Sequence, residues 1–386
     1  MRRRDDLLFP MREYERRLYN LRRRMGKHRV EALIVTDPEG LHYLTTYQTV
    51  GYYYFQALVV PLEGDPFMVV RLLEDSNVQT RTWVEHSRPY LDTEDPIEKL
   101  YHALEEFGLS KCRIGYDRKG YFFRSFEQEK LMAICSSATF VDCSGLVEED
   151  RIIKSADEIN VMRRAAIATE AGMRAGIEAS ISGVTENDIA ADIHHAMYKA
   201  GGEYPAISPF VASGPRALIG HATWEGRKIE AGDCIMLEIG GCVQRYHTAM
   251  MRTVYVGDPP AGLKQAEAIV LEAVQASIDT IKPGITAAKA DAVNRSILAS
   301  NSIGAGQATR SGYSIGIGFA PDWGEGHILS LQPAETRLLE ENMTFHLIPW
   351  IQIPGLGIMA LSETVRVTET GCESFFGFER KLFVTD

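Results

Sequence analysis

Two domains are predicted, an α/β domain over residues 1–153 and an α+β domain with a pseudo-twofold repeat over residues 154–386. Three observations lead there. The chain has 386 residues, more than the roughly 100 to 200 that one hydrophobic core usually organises. Its first part alternates helix-like and strand-like patterns. Its second part opens on a helix-start signal and then repeats a helix–turn–helix pattern at a spacing of about 101 residues, from Gly183 to Gly284.

In the first part, Arg12 to Arg24 has the apolar spacing of an amphipathic helix. Ala32 to Val35 is a short apolar strand ended by Thr36-Asp37-Pro38, and Gln56 to Pro61, Phe67 to Val70 and Cys112 to Tyr116 are further strands. A helix over Ile97 to Phe107 separates the last two. The boundary falls at Lys154-Ser155-Ala156-Asp157-Glu158, where Ser155 and Glu158 stand at the spacing of a capping box. Beyond it, Glu170 to Asp192 reads as helix, Gly183-Val184-Thr185, helix; Glu272 to Asn294 reads as helix, Gly284-Ile285-Thr286, helix. Thr185 and Thr286 sit where an N-cap belongs. Two related halves of this kind place a pocket between them.

Composition narrows the partners. The chain is 45% hydrophobic and 24% charged, as in an ordinary globular protein, and its formal net charge is −11. That balance argues against nucleic acid or an anionic membrane, both of which need a basic face. The basic runs Arg2 to Arg4 and Arg22 to Arg24 read as solvated helix faces. No apolar run approaches the length of a membrane span, and Asp5 and Asp6 follow the basic start where a signal peptide would be apolar, so a cytoplasmic protein is expected. The six cysteines are dispersed without a C-x-x-C pair, which predicts reduced structural thiols and no zinc site.

The chemistry is expected in the second domain. Phe210-Val211-Ala212-Ser213-Gly214-Pro215 precedes His221; Ile235-Met236-Leu237-Glu238-Ile239-Gly240-Gly241 precedes Tyr246-His247-Thr248-Ala249-Met250-Met251-Arg252-Thr253. Gly312-Tyr313-Ser314-Ile315-Gly316, Met343 to Pro349 and Ser362-Glu363-Thr364-Val365 follow. In order and spacing these motifs resemble the creatinase/prolidase superfamily over essentially the whole chain, in particular its metal-ligand-depleted branch with creatinase, ectoine hydrolase and the sulfonium lyases. The resemblance implies a creatinase-like N-terminal domain, a pita-bread catalytic domain, and a homodimer in which the N-terminal domain of one subunit closes the other's active site.

Peptidases of that superfamily hold two divalent metals with Asp, Asp, His, Glu and Glu. Matched motif to motif, those positions are Glu238, Ala249, Tyr313, Ile348 and Glu363 here. Alanine and isoleucine offer no donor and neutral tyrosine is a poor one, so no metal and no other cofactor is expected, with a residual single-metal site near His346 as the alternative. Two carboxylates, Glu238 and Glu363, are then expected to converge on one pocket, where repulsion is relieved by a proton or by an organic cation.

His221 matches the histidine that follows the superfamily's S-G-P/N motif, and an imidazole there can move a proton between water and a leaving nitrogen; the competing reading is a core histidine satisfied by hydrogen bonds. The expected catalytic set is therefore His221, Glu238 and Glu363. Substrate-binding roles are expected for Tyr313 as an oxyanion donor, for Trp323 in Pro321-Asp322-Trp323-Gly324-Glu325 as a wall for a cationic group, and for Tyr246 and His346 as pocket lining. Arg252 is expected to brace its strand through an ion pair. In the N-terminal domain, the run Gly51 to Gln56 is read as a strand that projects Tyr52, Tyr53 and Tyr54 across a dimer interface, with Arg71 as a fork for a substrate carboxylate.

The leading expectation is metal-independent hydrolysis of a C–N bond in a small zwitterionic or cationic compound. A lyase acting on an onium carboxylate, a metal-dependent Xaa-Pro dipeptidase and a non-catalytic binding module are the alternatives. Stoichiometric bound metal would favour the dipeptidase; the joint presence of His221, Glu238 and Glu363 speaks against the binding module.

Overall fold

Short apolar runs set the frame of the first unit, Met1–Arg151, in the computed structural model, which describes residues 1–300, 302–306 and 309–386. Its elements are α1 (Met11–His28), β1 (Ala32–Val35), α2 (Pro38–Thr45), β2 (Ala57–Pro61), β3 (Phe67–Val69), α3 (Asp75–Arg81), β4 (His86–Ser87), α4 (Pro96–Glu106), β5 (Arg113–Tyr116), α5 (Ser125–Ile134), β6 (Thr139–Asp142) and α6 (Glu148–Arg151). The six strands form one sheet in the order β4-β3-β2-β1-β5-β6, with β1 antiparallel to β2 and parallel to β5. Every residue of β1 and β2 is buried, as strands covered on both faces require. Local chemistry starts the helices: Asp37 accepts from Gly40 N–H at α2, and Asp95 accepts from Ile97 and Glu98 N–H at α4.

One expected strand is a turn. Across Gly51 to Tyr54 the Tyr54 N–H donates to the Gly51 carbonyl (3.0 Å), so alternation does not apply. Phe55 is buried, Tyr52 packs edge-on against Phe122, and Tyr53 and Tyr54 are 64% and 39% exposed.

The second unit, Ile152–Asp386, is built from two versions of one theme. Its elements are α7 (Ala156–Ala179), α8 (Glu186–Lys199), β7 (Phe210–Ser213), β8 (Cys234–Val243), β9 (Tyr246–Val256), α9 (Ala261–Thr280), α10 (Ala287–Ala299), β10 (Ala305–Gly306), β11 (Gly312–Phe319), β12 (Asp322–Gly324), β13 (Ser330–Leu331), β14 (Thr344–Leu347), β15 (Trp350–Ile353), β16 (Gly357–Ala360), β17 (Glu363–Val367), β18 (Cys372–Ser374) and β19 (Phe383–Thr385). The reciprocal capping box of Ser155 and Glu158 starts α7. Thr185 caps α8 by accepting from Asp188 N–H, and Thr286 caps α10 by accepting from Lys289 N–H. Gly183 and Gly284 both take positive φ, 98° and 86°, which is what their turns need from glycine. Each turn is clamped alike: Gly183 N–H donates to Ile229 O, and Gly284 N–H to Leu339 O. The pseudo-twofold repeat is therefore physical.

A large sheet runs through both halves in the order β18-β17-β14-β11-β9-β8-β7, with β10, β15 and β16 in a separate three-stranded sheet. Helices α7 and α8 pack Met173, Ile189 and Ile193 against Leu237 and Ile239 of β8, and the second half packs Ile281 and Ala290 against Phe345 and Val365. Among the described residues, no helix is long and apolar enough to cross a membrane. All six cysteines are free thiols.

Candidate active site

Antiparallel pairing brings the motif residues to the middle of the large sheet. Glu238 lies opposite Phe210 of β7 on one side and Met251 of β9 on the other, and Tyr313 of β11 lies opposite His346 of β14. Directly paired residues share a face, which is why motifs far apart in sequence meet here.

Two glycines let aromatic rings cover the strands. A Cβ on Gly240 would lie 2.5 Å from the Trp323 ring, and one on Gly324 would lie 2.6 Å from the Tyr313 ring. Trp323 is buried, donates from Nε1 to Tyr313 Oη (3.0 Å), and faces Phe210 at 5.9 Å between ring centroids. Lys154 and Glu325, both buried, pair at 2.6 Å, with Ser314 Oγ also on the Glu325 carboxylate, and so hold the far end of the loop that carries Trp323.

Tyr313 and His346 are joined directly, Oη to Nδ1 at 2.8 Å, and His346 Nε2 meets Ser362 Oγ at 2.6 Å. Burial, with the Arg310 guanidinium adding to it, pushes His346 down to about 3, so the ring is neutral. Burial, with the Glu238 charge adding to it, pushes the Tyr313 phenol far above its ordinary value, so it is a donor and not an acid. The Arg310 guanidinium covers the Tyr313 ring at 4.3 Å.

Glu238 is half-buried, and among the described residues nothing hydrogen-bonds its carboxyl group. Burial raises it to about 8, and Asp322 pushes in the same direction. A carboxyl in this state favours its protonated form at neutral pH. His221, in contrast, is exposed, takes a positive φ of 59°, and stacks on Phe210 at 5.5 Å and 19°. Phe210 thus links His221, Trp323 and Glu238.

Several expected roles are corrected. Glu363 does not join Glu238 as a second uncompensated carboxylate: Arg252 Nη2 donates to it at 2.7 Å with both side chains fully buried, Arg380 stands 3.4 Å away, and Ser374 Oγ donates to its other oxygen. The expected repulsion is relieved inside the protein, by Arg252. Tyr246, expected to bind substrate, is buried and donates to Glu158 at 2.8 Å, tying β9 to the first turn of α7. The Arg71 fork is already spent on Asp92, with Nη2 to Oδ2 at 2.6 Å, and Tyr54 stacks on the guanidinium at 4.2 Å.

The residues that sequence reasoning passed over are Phe210, Arg310, Asp322 and Ser362. Phe210, Asp322 and Ser362 stood inside motifs already singled out, without a role of their own; Arg310 carries no local signal.

A dinuclear metal centre does not fit this donor set. Ala249 and Ile348 have no ligating atom, Tyr313 is committed to Trp323 and His346, and Glu363 to Arg252. Among the described residues, no group of three or more His, Cys, Asp or Glu side chains is arranged to hold an ion.

Comparison with known proteins agrees with this architecture. Residues 160–369 match the model of metallopeptidase family M24, and residues 17–153 match the creatinase/prolidase N-terminal domain. An ectoine hydrolase from Halomonas elongata is 32% identical over 407 aligned positions that cover 98% of each chain. An Xaa-Pro dipeptidase from Pyrococcus horikoshii is 29% identical, covering 93% of this chain and 96% of its own. Among solved structures, dipeptidase PepE from Mycobacterium ulcerans superposes with a TM-score of 0.82 at 25% identity, over 97% of this chain and 99% of that one. A prolidase from Pyrococcus horikoshii OT3 shares the fold, with a TM-score of 0.84 at 23% identity over 95% of this chain and 100% of that one. The chain belongs to metallopeptidase family M24, a pita-bread hydrolase fold preceded by a creatinase/prolidase N-terminal domain.

Proposed function

We propose that the protein is a metal-independent hydrolase of a C–N bond in a small zwitterionic compound, with a cyclic amidine of the ectoine type as the leading substrate. The observation that carries this reading is Glu238, a half-buried carboxyl raised to about 8 with Asp322 beside it. Such a carboxyl ionises when an amidinium binds, because the ligand's charge replaces the proton. A neutral peptide bond carries no charge to displace that proton. The relative named ectoine hydrolase supports the same substrate class.

In the proposed reaction, Glu238 holds the amidinium beside Phe210 and Trp323. His221 takes a proton from water as the oxygen bonds to the amidinium carbon. The C–N bond then breaks as His221 returns that proton to the departing nitrogen, and the remaining hydroxyl proton passes to the released amine, leaving an amide and an ammonium group on the opened ring. The Tyr313 hydroxyl stabilises the oxygen that water brings in. Glu363 keeps its ion pair with Arg252 and acts by holding β17 in place, a revision of the direct role first expected for it.

A homodimer in the cytoplasm is part of the same proposal. The exposed Tyr53 and Tyr54 support an interface on the N-terminal unit, and six free thiols suit a reducing compartment. The test is incubation with ectoine, and separately with Xaa-Pro dipeptides, in chelator-treated and metal-supplemented buffers, following products by chromatography. Ring opening in chelated buffer that His221→Ala abolishes supports the proposal. Cleavage of dipeptides only when metal is supplied overturns it in favour of the dipeptidase reading.

A further inference from the structure

The hydrogen-bonded chain Trp323, Tyr313, His346, Ser362 has more protons than links. Trp323 Nε1 can only donate, so Tyr313 Oη accepts there (3.0 Å). Beyond that point two links remain, Tyr313 to His346 Nδ1 (2.8 Å) and His346 Nε2 to Ser362 (2.6 Å). Three protons compete for them, one each on the phenol, the neutral imidazole and the serine hydroxyl. One proton is therefore left over at an end of the chain.

The two ends are not equivalent. Ser362 is fully buried, and its Oγ already accepts from Met251 N–H at 2.6 Å. Among the described residues the one acceptor within reach of its hydroxyl proton is His346 Nε2. If His346 carried its proton on Nε2, the serine proton would be enclosed with nowhere to go. A buried donor left unmade loses its hydration without compensation. The other end, Tyr313, borders the half-buried Glu238, and the residue as a whole retains a small exposure of 7%. A leftover proton there can reach a ligand.

We propose that Ser362 is a positioning residue: by donating to His346 Nε2 it fixes the ring proton on Nδ1, so that Tyr313 accepts from both Trp323 and His346 and presents its own O–H to an acceptor atom of the bound ligand. The functional consequence deepens, and rests on, the oxyanion role given to Tyr313 above. The tautomer itself does not depend on any substrate. The site is thus built for a ligand that carries or develops a hydrogen-bond acceptor, an oxygen above all, next to its cationic group.

The experiment is long-range proton–nitrogen correlation on the full-length protein labelled with nitrogen-15 histidine, without ligand at neutral pH, with His346→Gln to assign the ring. The expected result is a protonated Nδ1 and a bare Nε2 for His346. The opposite pattern overturns the proposal. Ser362→Ala is expected to shift His346 away from the pure Nδ1–H form and Ser362→Thr to keep it; ring signals unchanged in Ser362→Ala overturn the role of Ser362. Should Ser362→Ala fail to fold, the parent and Ser362→Thr still decide the tautomer. Failure of the functional reading shows separately, as a parent enzyme that leaves ectoine intact while the His346 pattern is as expected.

Discussion

Arg252 and Glu363 face each other at 2.7 Å with neither side chain exposed to solvent. Breaking one side of such a pair strands a buried charge, whereas replacing both with apolar groups removes the desolvation cost along with the attraction. Arg252→Met is expected to destabilise the protein by about 3–5 kcal/mol, somewhat softened by Arg380 at 3.4 Å. The double variant Arg252→Met with Glu363→Leu is expected to be more stable than Arg252→Met alone. Urea unfolding of the parent and both variants measures the difference; a double variant less stable than the single one contradicts the assignment.

Glu238 predicts a pH dependence with a definite sign. Its carboxyl is raised from 4.5 to about 8 by burial first and Asp322 second. Between those values the native state holds a proton that the unfolded chain has released, so this group's contribution to stability falls as pH rises and levels off above about 8. His346, lowered from 6.5 to about 3, works the other way: the native state binds fewer protons between those values, and stability rises with pH through that window. Above 6.5 the Glu238 slope is therefore free of the His346 one. In Glu238→Gln the melting temperature is expected to gain on that of the parent from there up to about pH 8. Parallel curves mean that Glu238 ionises as an ordinary carboxylate.

The Gly240 position tests the aromatic cover. A methyl group there would sit 2.5 Å from the Trp323 ring, which is itself held by Tyr313. Gly240→Ala is expected to cost about 1–3 kcal/mol by overpacking and, on the proposed function, to weaken turnover of ectoine by displacing Trp323. Gly26→Ala is the control, since a methyl on that helical position meets nothing within 4 Å. Unfolding curves and turnover, measured side by side, separate the two; equal behaviour of the variants refutes the contact's importance.

What the sequence made legible follows a physical line between local and distant information. The caps at Thr185 and Thr286, the capping box of Ser155 and Glu158, and the strand Ala32–Val35 depend on neighbours a few residues away, and the structure has them all. Arg252 was expected in an ion pair and is found in one; that its partner would be Glu363 depends on the way β9 and β17 are brought together, which no local pattern records. Ser362 and Arg310 were passed over for the same reason. The run Gly51 to Gln56 failed differently, because aromatic residues suit a strand and a packed turn equally well until the Tyr54 to Gly51 hydrogen bond decides between them.

Chelation is the sharpest test of the chemistry. The family is one of metallopeptidases, and hard divalent ions need several oxygen or nitrogen ligands in a closed arrangement. Here two of the five matched positions, Ala249 and Ile348, have no donor atom, and Glu363 and Tyr313 are engaged by Arg252, His346 and Trp323. The proposed hydrolysis uses no metal, so on that proposal turnover of ectoine is expected to survive exhaustive dialysis against a strong chelator and to gain nothing from added manganese, cobalt or zinc. Elemental analysis of the active preparation is expected to find far less than one metal per chain. Loss of activity on chelation with recovery on adding one of these ions would mean that Glu238 and His346 recruit a ligand set the folded chain does not display, and would return the protein to the dipeptidase reading.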